Sequence, residues 1–517
     1  MSSGGSQLSL GIDTGGTYTD AVIVDAELRV IGSAKALTTT SDLSVGIGRA
    51  IDDVIAATRT AVGDVSMVAL STTLATNALV EGRTGKIAVV TMGLDDEGCR
   101  LAGIPDAVGA DPWLRLDGGH DSGGAPLADP NPTAVDRFVA TTGSVEGYAV
   151  AAQFSVRNPA HELMVRDRIA ELSGRPVTCG HELSSALNGP ARAVTCVLNA
   201  RLIGVIDTML VAAEQHLAKI GISAPVLVVR GDGSLMSVAV ARKRPVETVL
   251  SGPAASVVGA VHLSKQPLGG TTAIVADIGG TTTDIALVRD GRPLISAQGA
   301  VVGGHQTMVA AIDIETTGLG GDSEVTIAGP ALRLGPRRII PISMLSAEFP
   351  EAVDAALSSD AEAKVSSARV ARLVVLASPA EDLATRDATS RAILERLADG
   401  PVSWRELAVN HRCELALERL VTEGLVTPSG VTPTDAAHVL GLQRDFDTNA
   451  AQRALELMAR QRDRFGEPIA ASGVVLAQRI VDEVHALSAT ALLRTGLRTD
   501  GLDPNLAVSA LAQMSRT

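Results

Sequence analysis

The feature that most constrains this chain is a phrase that occurs twice. Residues 10–25 read LGIDTGGTYTDAVIVD and residues 273–288 read AIVADIGGTTTDIALV. Aligning Asp13 on Asp277 puts Asp20 on Asp284, an offset of 264 residues in both cases, and six of the eight positions match. Each copy predicts a strand, a tight turn and a second strand. In the second copy the strands are expected at Ala273–Ala276 and Thr283–Val288, with the turn at Asp277–Gly280. Two adjacent glycines let backbone N–H groups turn inward and approach a ligand closely, because no Cβ blocks the way. Thr281 and Thr282 add hydroxyls. An aspartate at the end of an apolar strand is poorly placed for a structural role, but it can hold hydrated Mg²⁺ beside a phosphate. Asp284 is expected to fix the turn through backbone hydrogen bonds. Two ordinary hairpins would leave the repeated aspartates unexplained.

Composition narrows the class. With 517 residues the chain has room for two or three domains. Hydrophobic residues make up 46% and charged ones 20%, which is a globular balance. Aromatics are only 2%, so Ala, Val, Leu and Ile must build the core, as suits α/β layers. The net charge of −14 argues against a nucleic-acid or acidic-membrane partner. It is compatible with a nucleotide, whose phosphates Mg²⁺ and backbone dipoles offset locally. Cys99, Cys179, Cys196 and Cys413 form no CxxC pair, which excludes a Cys-based zinc knuckle and disfavours a disulfide framework. The first residues lack the basic start and apolar run of a signal peptide, and no transmembrane helix is expected. A cytoplasmic location follows as an expectation.

Along the chain, Leu28–Lys35 predicts a third strand. Leu43–Val62 predicts a helix capped by Ser41 or Asp42. A short strand at Val68–Leu70 leads into Ser71–Leu79, a hydroxyl-rich helix start. Such a start is either an anion-binding edge or an ordinary cap. Residues 114–131 predict a solvated loop carrying His120 and Asp121, with a metal role less favoured. A helical region at Leu183–Ile220 should break near Asn188–Pro190. Gly318–Ser323 reads GLGGDS, either an adenosine-side turn or part of a substrate pocket. Asp313 and Glu315 would share one face of a strand, either as paired ligands or as a plain surface. Pro401–Leu442 has helix–turn–helix spacing with its turn at Thr427–Gly430. It resembles a winged-helix module, but without a basic recognition helix. The tail after Asn505 predicts a short helix.

Two phosphate-clasping hairpins in one chain resemble the acetate/sugar kinase, heat-shock ATPase and actin superfamily, with Leu250–Leu263 in the place of its connecting helix. The implied fold is α/β. It has duplicated actin/sugar-kinase-like (ribonuclease H-like) domains flanking a nucleotide cleft, and a mainly helical C-terminal part. The expected domains are 8–180, 181–345 and 346–517. The remaining phrases are more specific. In order they are STTLATNALVEGRTGKIAVVTMG from Ser71, TCVLNA from Thr195, RGDGSLMS from Arg230, PVETVLSGPAASVVGA from Pro245, GLGGDS and, late, TPTDAAHVLG from Thr432. This series resembles the hydantoinase/oxoprolinase family, its ATP-binding A-type subunit, over roughly residues 8–330. The resemblance implies ATP-dependent opening of a cyclic amide such as a hydantoin, 5-oxoproline or a related lactam. A separate B-type subunit would complete the reaction, and the alternatives are a nucleotide-dependent activator or ATPase module of a partner enzyme such as a carboxylase, or a small-molecule kinase. It implies ATP and Mg²⁺ as cofactors, and a homodimer is compatible with an α/β protein of this size. By the same resemblance Asp13 and Asp277 are catalytic and metal-holding. Gly15, Gly16, Thr17, Gly279, Gly280, Thr281 and Thr282 cradle phosphates, Gly320 and Gly321 bind nucleotide, and Thr72, Thr73 and Asn77 face the substrate. Here an Asp interrupts the family's glycine run at Gly318–Ser323, and a His that family members carry near Glu315 is absent.

Overall fold

The computed structural model describes residues 7–16, 18–39, 42–264, 272–328, 331–363, 369–377, 386–462 and 465–499. Thr17, Ser41 and the tail after Asn505 lie outside these residues. The chain divides into two compact units: Met1–Val275 with Ala286–Ile314, and Ala276–Ile285 with Glu315–Thr517.

The first unit is built on a six-stranded sheet. β1 (Leu8–Thr14), β2 (Tyr18–Val24) and β3 (Val30–Leu37) run antiparallel. β4 (Val65–Thr72) then lies parallel to β1, and β9 (Val226–Val229) parallel to β4, with β10 (Leu235–Ser237) on the edge. This order is the half-domain expected from the first phrase. Strand β1 alternates strictly, with Leu8, Leu10 and Ile12 buried, as a half-buried strand must. Each such side chain contributes about 1.5–3 kcal/mol when fully buried. Helix α1 (Leu43–Thr58) turns Ile47, Ile51 and Val54 inward and is capped by Asp42, whose carboxylate accepts from the Ser44 N–H. Helix α2 (Leu74–Glu81) follows β4 directly.

A second, all-parallel sheet is inserted in the order β6 (Trp113–Leu116), β5 (Ile87–Met92), β7 (Gly147–Ala152), β8 (Val177–Cys179). Every residue of β5 and β7 is buried, as expected of a parallel sheet covered on both faces. Helix α3 (Ala160–Ser173) packs on this sheet. The helical region expected from Leu183 is a single helix, α4 (Gly189–Ile220), capped by Asn188 with Pro190 in its first turn. Helix α4 is long and apolar enough to cross a membrane, but 61% of its apolar window is buried inside the protein, as in a central core helix.

Helix α5 (Ser251–Leu263) precedes β11 (Thr272–Ile278). Strand β11 pairs with β12 (Thr283–Arg289), which also pairs with β13 (Arg292–Pro293) and β14 (Ile314–Thr317). The second phrase therefore heads a four-stranded sheet, smaller than the first.

In the second unit, β15 (Ser323–Ala328) and β16 (Ala331–Arg338) form a hairpin. A further sheet has the order β17 (Ile340–Pro341), β20 (Val426–Gly430), β18 (Leu373–Leu376), β19 (Val402–Ser403). The position expected for the turn of the Pro401–Leu442 segment needs correction here. Thr427–Gly430 is not a turn but most of β20, held antiparallel by β18 and parallel by β17. The chain reverses earlier, at Gly424, whose φ of 70° suits glycine. The helices used below are α6 (Ile342–Glu348), α7 (Pro433–Val439) and α8 (Gly473–Thr499).

Candidate functional site

The first phrase folds as expected. Strand β1 carries Asp13 next to its end, opposite Asp20 on β2, and the Gly15 N–H donates to the Tyr18 carbonyl at 2.9 Å. Because β4 lies beside β1, it places Ser71 against Asp13, and the Ser71 hydroxyl donates to Asp13 Oδ1 at 2.7 Å. Neither Gly15 nor Gly16 has room for a side chain. A Cβ on Gly15 would lie 2.9 Å from the Tyr18 carbonyl oxygen, and one on Gly16 would lie 3.0 Å from Asn77 Nδ2.

Thr73 and Asn77 stand beside this turn, linked by a 3.4 Å hydrogen bond from Asn77 Nδ2 to the Thr73 hydroxyl. Thr72 is different. It is fully buried, its hydroxyl donates to the Thr14 carbonyl at 2.9 Å, and it accepts from the Leu74 N–H at 2.9 Å. Its side chain therefore braces the frame behind the turn. Helix α5 begins against the same frame. The Ser251 hydroxyl donates to the Thr72 carbonyl at 2.9 Å and accepts from the Thr72 N–H at 3.1 Å. Gly252 permits this approach, since a Cβ there would lie 2.8 Å from Thr73 Cγ2 and 3.5 Å from Asp13 Oδ1.

The second phrase repeats the turn at the same offset. The Gly279 N–H donates to the Thr282 carbonyl at 2.9 Å, matching the Gly15–Tyr18 bond. Strand β11 runs through Asp277 to Ile278, so the turn starts two residues later than the sequence suggested. Asp284 accepts from the Thr316 hydroxyl at 2.6 Å and from the Thr282 hydroxyl at 3.5 Å. It thus holds the turn through hydroxyls, where backbone donors were expected. Burial pushes its carboxyl above the ordinary aspartate range, the two hydroxyls pull it down, and the Asp277 charge adds to the rise.

Gly320 and Gly321 lie directly against this turn. The Gly321 N–H donates to the Gly279 carbonyl at 3.0 Å, and the Asp322 N–H donates to the Gly280 carbonyl at 2.7 Å. A Cβ on Gly320 would lie 2.4 Å from the Gly280 carbonyl oxygen. The Thr283 hydroxyl adds a 2.7 Å bond to the Leu319 carbonyl. Asp322 leans over the turn, its Oδ2 lying 2.6 Å from where a Gly280 Cβ would sit. Burial raises its carboxyl, while the Arg338 guanidinium at 3.3 Å and the Thr434 hydroxyl oppose that rise.

Other candidates have structural partners. Asp121 closes a turn, accepting from Gly123 and Ala125 N–H groups at 2.9 Å each. His120 is not solvated as expected: it is 1% exposed and stacks on His161 at 4.3 Å, because the chain bridges back from His120 to Pro126 and folds the ring inward. Glu315 accepts from the Thr495 hydroxyl of α8 at 2.8 Å. Among the described residues, Glu162, Cys179 and His181 converge as a metal ligand set would. Both Glu162 oxygens are already used, by the Ala152 N–H at 2.7 Å and by the His181 N–H at 2.9 Å and Nδ1 at 2.5 Å. Burial raises the Cys179 thiol, which keeps it protonated. The trio braces α3 against β7 and β8. Ser71, Gly252, Asp322 and Thr434 are site neighbours that were not singled out from the sequence. Each sits within a quoted motif, but pattern alone did not separate it from its neighbours.

Each turn, taken by itself, offers donors that suit a magnesium-bound phosphate. Carboxylate and hydroxyl oxygens suit a hard cation. Glycines at Gly15, Gly16 and Gly280 leave backbone room that a Cβ would fill, which suits phosphate.

Residues 9–173 match the model of the hydantoinase/oxoprolinase N-terminal region, and residues 192–400 match that of hydantoinase/oxoprolinase. The chain belongs to the hydantoinase/oxoprolinase family. It is 29% identical over 357 residues to caprolactamase subunit alpha of Pseudomonas jessenii, across 64% of this chain and 50% of that one. It is 27% identical over 371 residues to the acetophenone carboxylase gamma subunit of Aromatoleum aromaticum, across 64% of this chain and 49% of that one. The chain thus spans about half the length of the curated relatives it matches. Its fold is that of acetone carboxylase in a nucleotide-free structure, with a TM-score of 0.66 at 19% identity, covering 96% of this chain and 64% of that one.

Proposed function

We propose that this chain is the ATP-using part of a cyclic amide hydrolase, and that it phosphorylates the amide oxygen of a hydantoin, 5-oxoproline or related lactam. A lactam carbonyl is protected by amide resonance. Phosphorylating its oxygen makes the carbon electrophilic and turns that oxygen into part of a leaving group. ATP, bound with Mg²⁺, supplies the phosphoryl group when its terminal P–O bond breaks and ADP leaves.

The chain's own residues do what phosphoryl transfer needs, which is positioning and charge neutralisation. The N–H groups of Gly16 in the first turn and of Gly280 and Thr281 in the second bind phosphate oxygens. Asp13 and Asp277 would each hold Mg²⁺ beside the turn it leads, and Asp13, oriented by Ser71, aligns the attacking oxygen. Thr73 and Asn77 contact the substrate side of the first turn. Ring opening is completed by a B-type subunit or a further segment. The observation that carries this reading is the doubled turn, with the same hydrogen bond and the same leading aspartate 264 residues apart.

The similarity to an acetophenone carboxylase subunit favours a second reading, in which the phosphorylated oxygen belongs to a ketone enolate. One assay separates them. ADP release by the purified chain with Mg²⁺ is measured against hydantoins, 5-oxoproline and lactams, and separately against ketones with bicarbonate. Stimulation by cyclic amides supports the first reading, and stimulation by ketones alone replaces it with the second. No ADP release with any of them counts against both.

A further inference from the structure

The loop that carries Asp322 is gripped from its far side by a segment to which the function gives no role. Residues 432–435 spell Thr-Pro-Thr-Asp at the start of α7. Asp435 is fully buried. Its carboxylate accepts from the N–H groups of Thr432 at 2.9 Å, Ile342 at 3.3 Å and Ser343 at 2.8 Å, and from the Thr432 hydroxyl at 2.9 Å. One side chain therefore ties the starts of α6 and α7 together, satisfying N–H groups that a helix start leaves open.

That anchor fixes Thr434, which reaches the glycine loop twice. Its N–H donates to the Gly321 carbonyl at 2.8 Å, and its hydroxyl donates to the Asp322 carboxylate. Its own carbonyl accepts from His438 Nδ1 at 2.8 Å, while His438 Nε2 accepts from the Phe446 N–H at 3.0 Å. The contact with the loop is tight, since a Cβ on Gly321 would lie 2.7 Å from the Thr434 hydroxyl oxygen. Gly321 and Asp322 in turn donate to the carbonyls of Gly279 and Gly280. Thr434, the chain neighbour of the anchored Asp435, is thus linked by hydrogen bonds through Gly321 and Asp322 to the second glycine turn.

We propose that Thr434 and Asp322 are positioning residues of that turn, so that the nucleotide site draws on the Thr-Pro-Thr-Asp segment. Neither residue is assigned a contact with nucleotide. By holding the Gly279 and Gly280 carbonyls they set the direction of the peptides that carry the Gly280 and Thr281 N–H groups, which must point at phosphate. The inference rests on the ATP reading above.

The test uses the full chain with Thr434→Val, which keeps the shape and removes the hydroxyl, Thr434→Ser, which restores it, and Asp322→Asn. Two quantities are read: affinity for a fluorescent ATP analogue with Mg²⁺, and amide exchange over residues 277–284 and 13–20. We expect Thr434→Val and Asp322→Asn to weaken nucleotide binding by about tenfold and to speed exchange over 277–284 alone. Thr434→Ser should bind as the unaltered chain does. If the unaltered chain binds nucleotide and Thr434→Val binds it equally well, the inference is overturned while the ATP reading stands. Faster exchange with unchanged affinity also overturns it, because the latch is then only structural. An unaltered chain that binds no nucleotide removes both.

Discussion

The two glycine turns carry nearly the same eight residues and close with the same hydrogen bond, yet they are supported in different ways. The first sits between strands of a six-stranded sheet. Its aspartate is steadied by Ser71 on β4, and its backbone is braced by Thr72 and Ser251. The second heads a smaller sheet, and its carbonyls are held by a loop, Gly320–Ser323, which is itself held by Thr434. A turn's shape is thus a local property of its glycines and cross-strand bonds. Its rigidity comes from whichever neighbour the tertiary fold supplies. In the first unit that neighbour is a strand, and in the second it is a short segment more than 100 residues downstream.

The largest expected effect tests whether the turns are equal partners in chemistry. Asp13→Ala and Asp277→Ala should each lower ATP turnover by about 10²-fold or more, read as ADP release. Near-normal turnover in either variant would break the equivalence on which the proposed function stands. The glycines sharpen the contrast. Gly320→Ala places a Cβ 2.4 Å from a backbone oxygen that no rotamer change can move, and should weaken nucleotide binding by about tenfold or more. Gly15→Ala meets the Tyr18 carbonyl oxygen at 2.9 Å and should also weaken it, whereas Gly279→Ala meets the Thr282 carbonyl oxygen at an ordinary 3.5 Å and should be tolerated. Equal losses at Gly15 and Gly279 in a binding titration would show that the two supports do not differ.

Smaller effects come from the hydroxyls. Ser71→Ala removes a 2.7 Å bond to a half-buried aspartate. It should cost about 1 kcal/mol, measured as a shift of the denaturation midpoint, with a further loss of turnover. Thr316→Val removes the 2.6 Å bond to Asp284 at an exposed position and should cost less.

The smallest effect is a gain. Asp284 has a carboxyl raised by burial, so the folded state holds its proton more tightly than the unfolded chain does. Stability then falls as pH rises from the ordinary aspartate range through the raised value, and the ionised group is a burden at neutral pH. Asp284→Asn keeps an acceptor for Thr316 and should melt higher than the unaltered chain at neutral pH. The gap should close as the pH falls toward the ordinary range. A gap that widens with acid would mean that Asp284 is not a burden when ionised.

Local patterns survived folding well. The cap at Asp42 and the first glycine turn stand where their residues placed them, Asn188–Pro190 interrupts the helical pattern by starting the long helix, and the second glycine turn forms two residues late, since each depends on neighbours within a few positions. Errors arose where a distant partner decided the outcome. Thr427–Gly430 has turn-forming residues, but β17 and β18 recruit it as a strand. His120 sits in a polar, glycine-rich stretch, but His161 on α3 draws it inside. Thr72 has the hydroxyl of a ligand-facing residue, but the Thr14 carbonyl beside it takes that hydroxyl.

The sequence alone determined the doubled turn, its leading aspartates and, through the ordered phrases, the family. Glycine freedom and cross-strand bonding act over a few residues, so a repeated phrase gives a repeated shape. The tertiary structure alone decided which residues hold those shapes. Ser71 reaches Asp13 because β4 runs parallel beside β1, and Thr434 reaches Gly321 because buried Asp435 pins two helix starts to one point. Contacts of that range depend on how strands and helices pack, and no spacing along the chain encodes them locally.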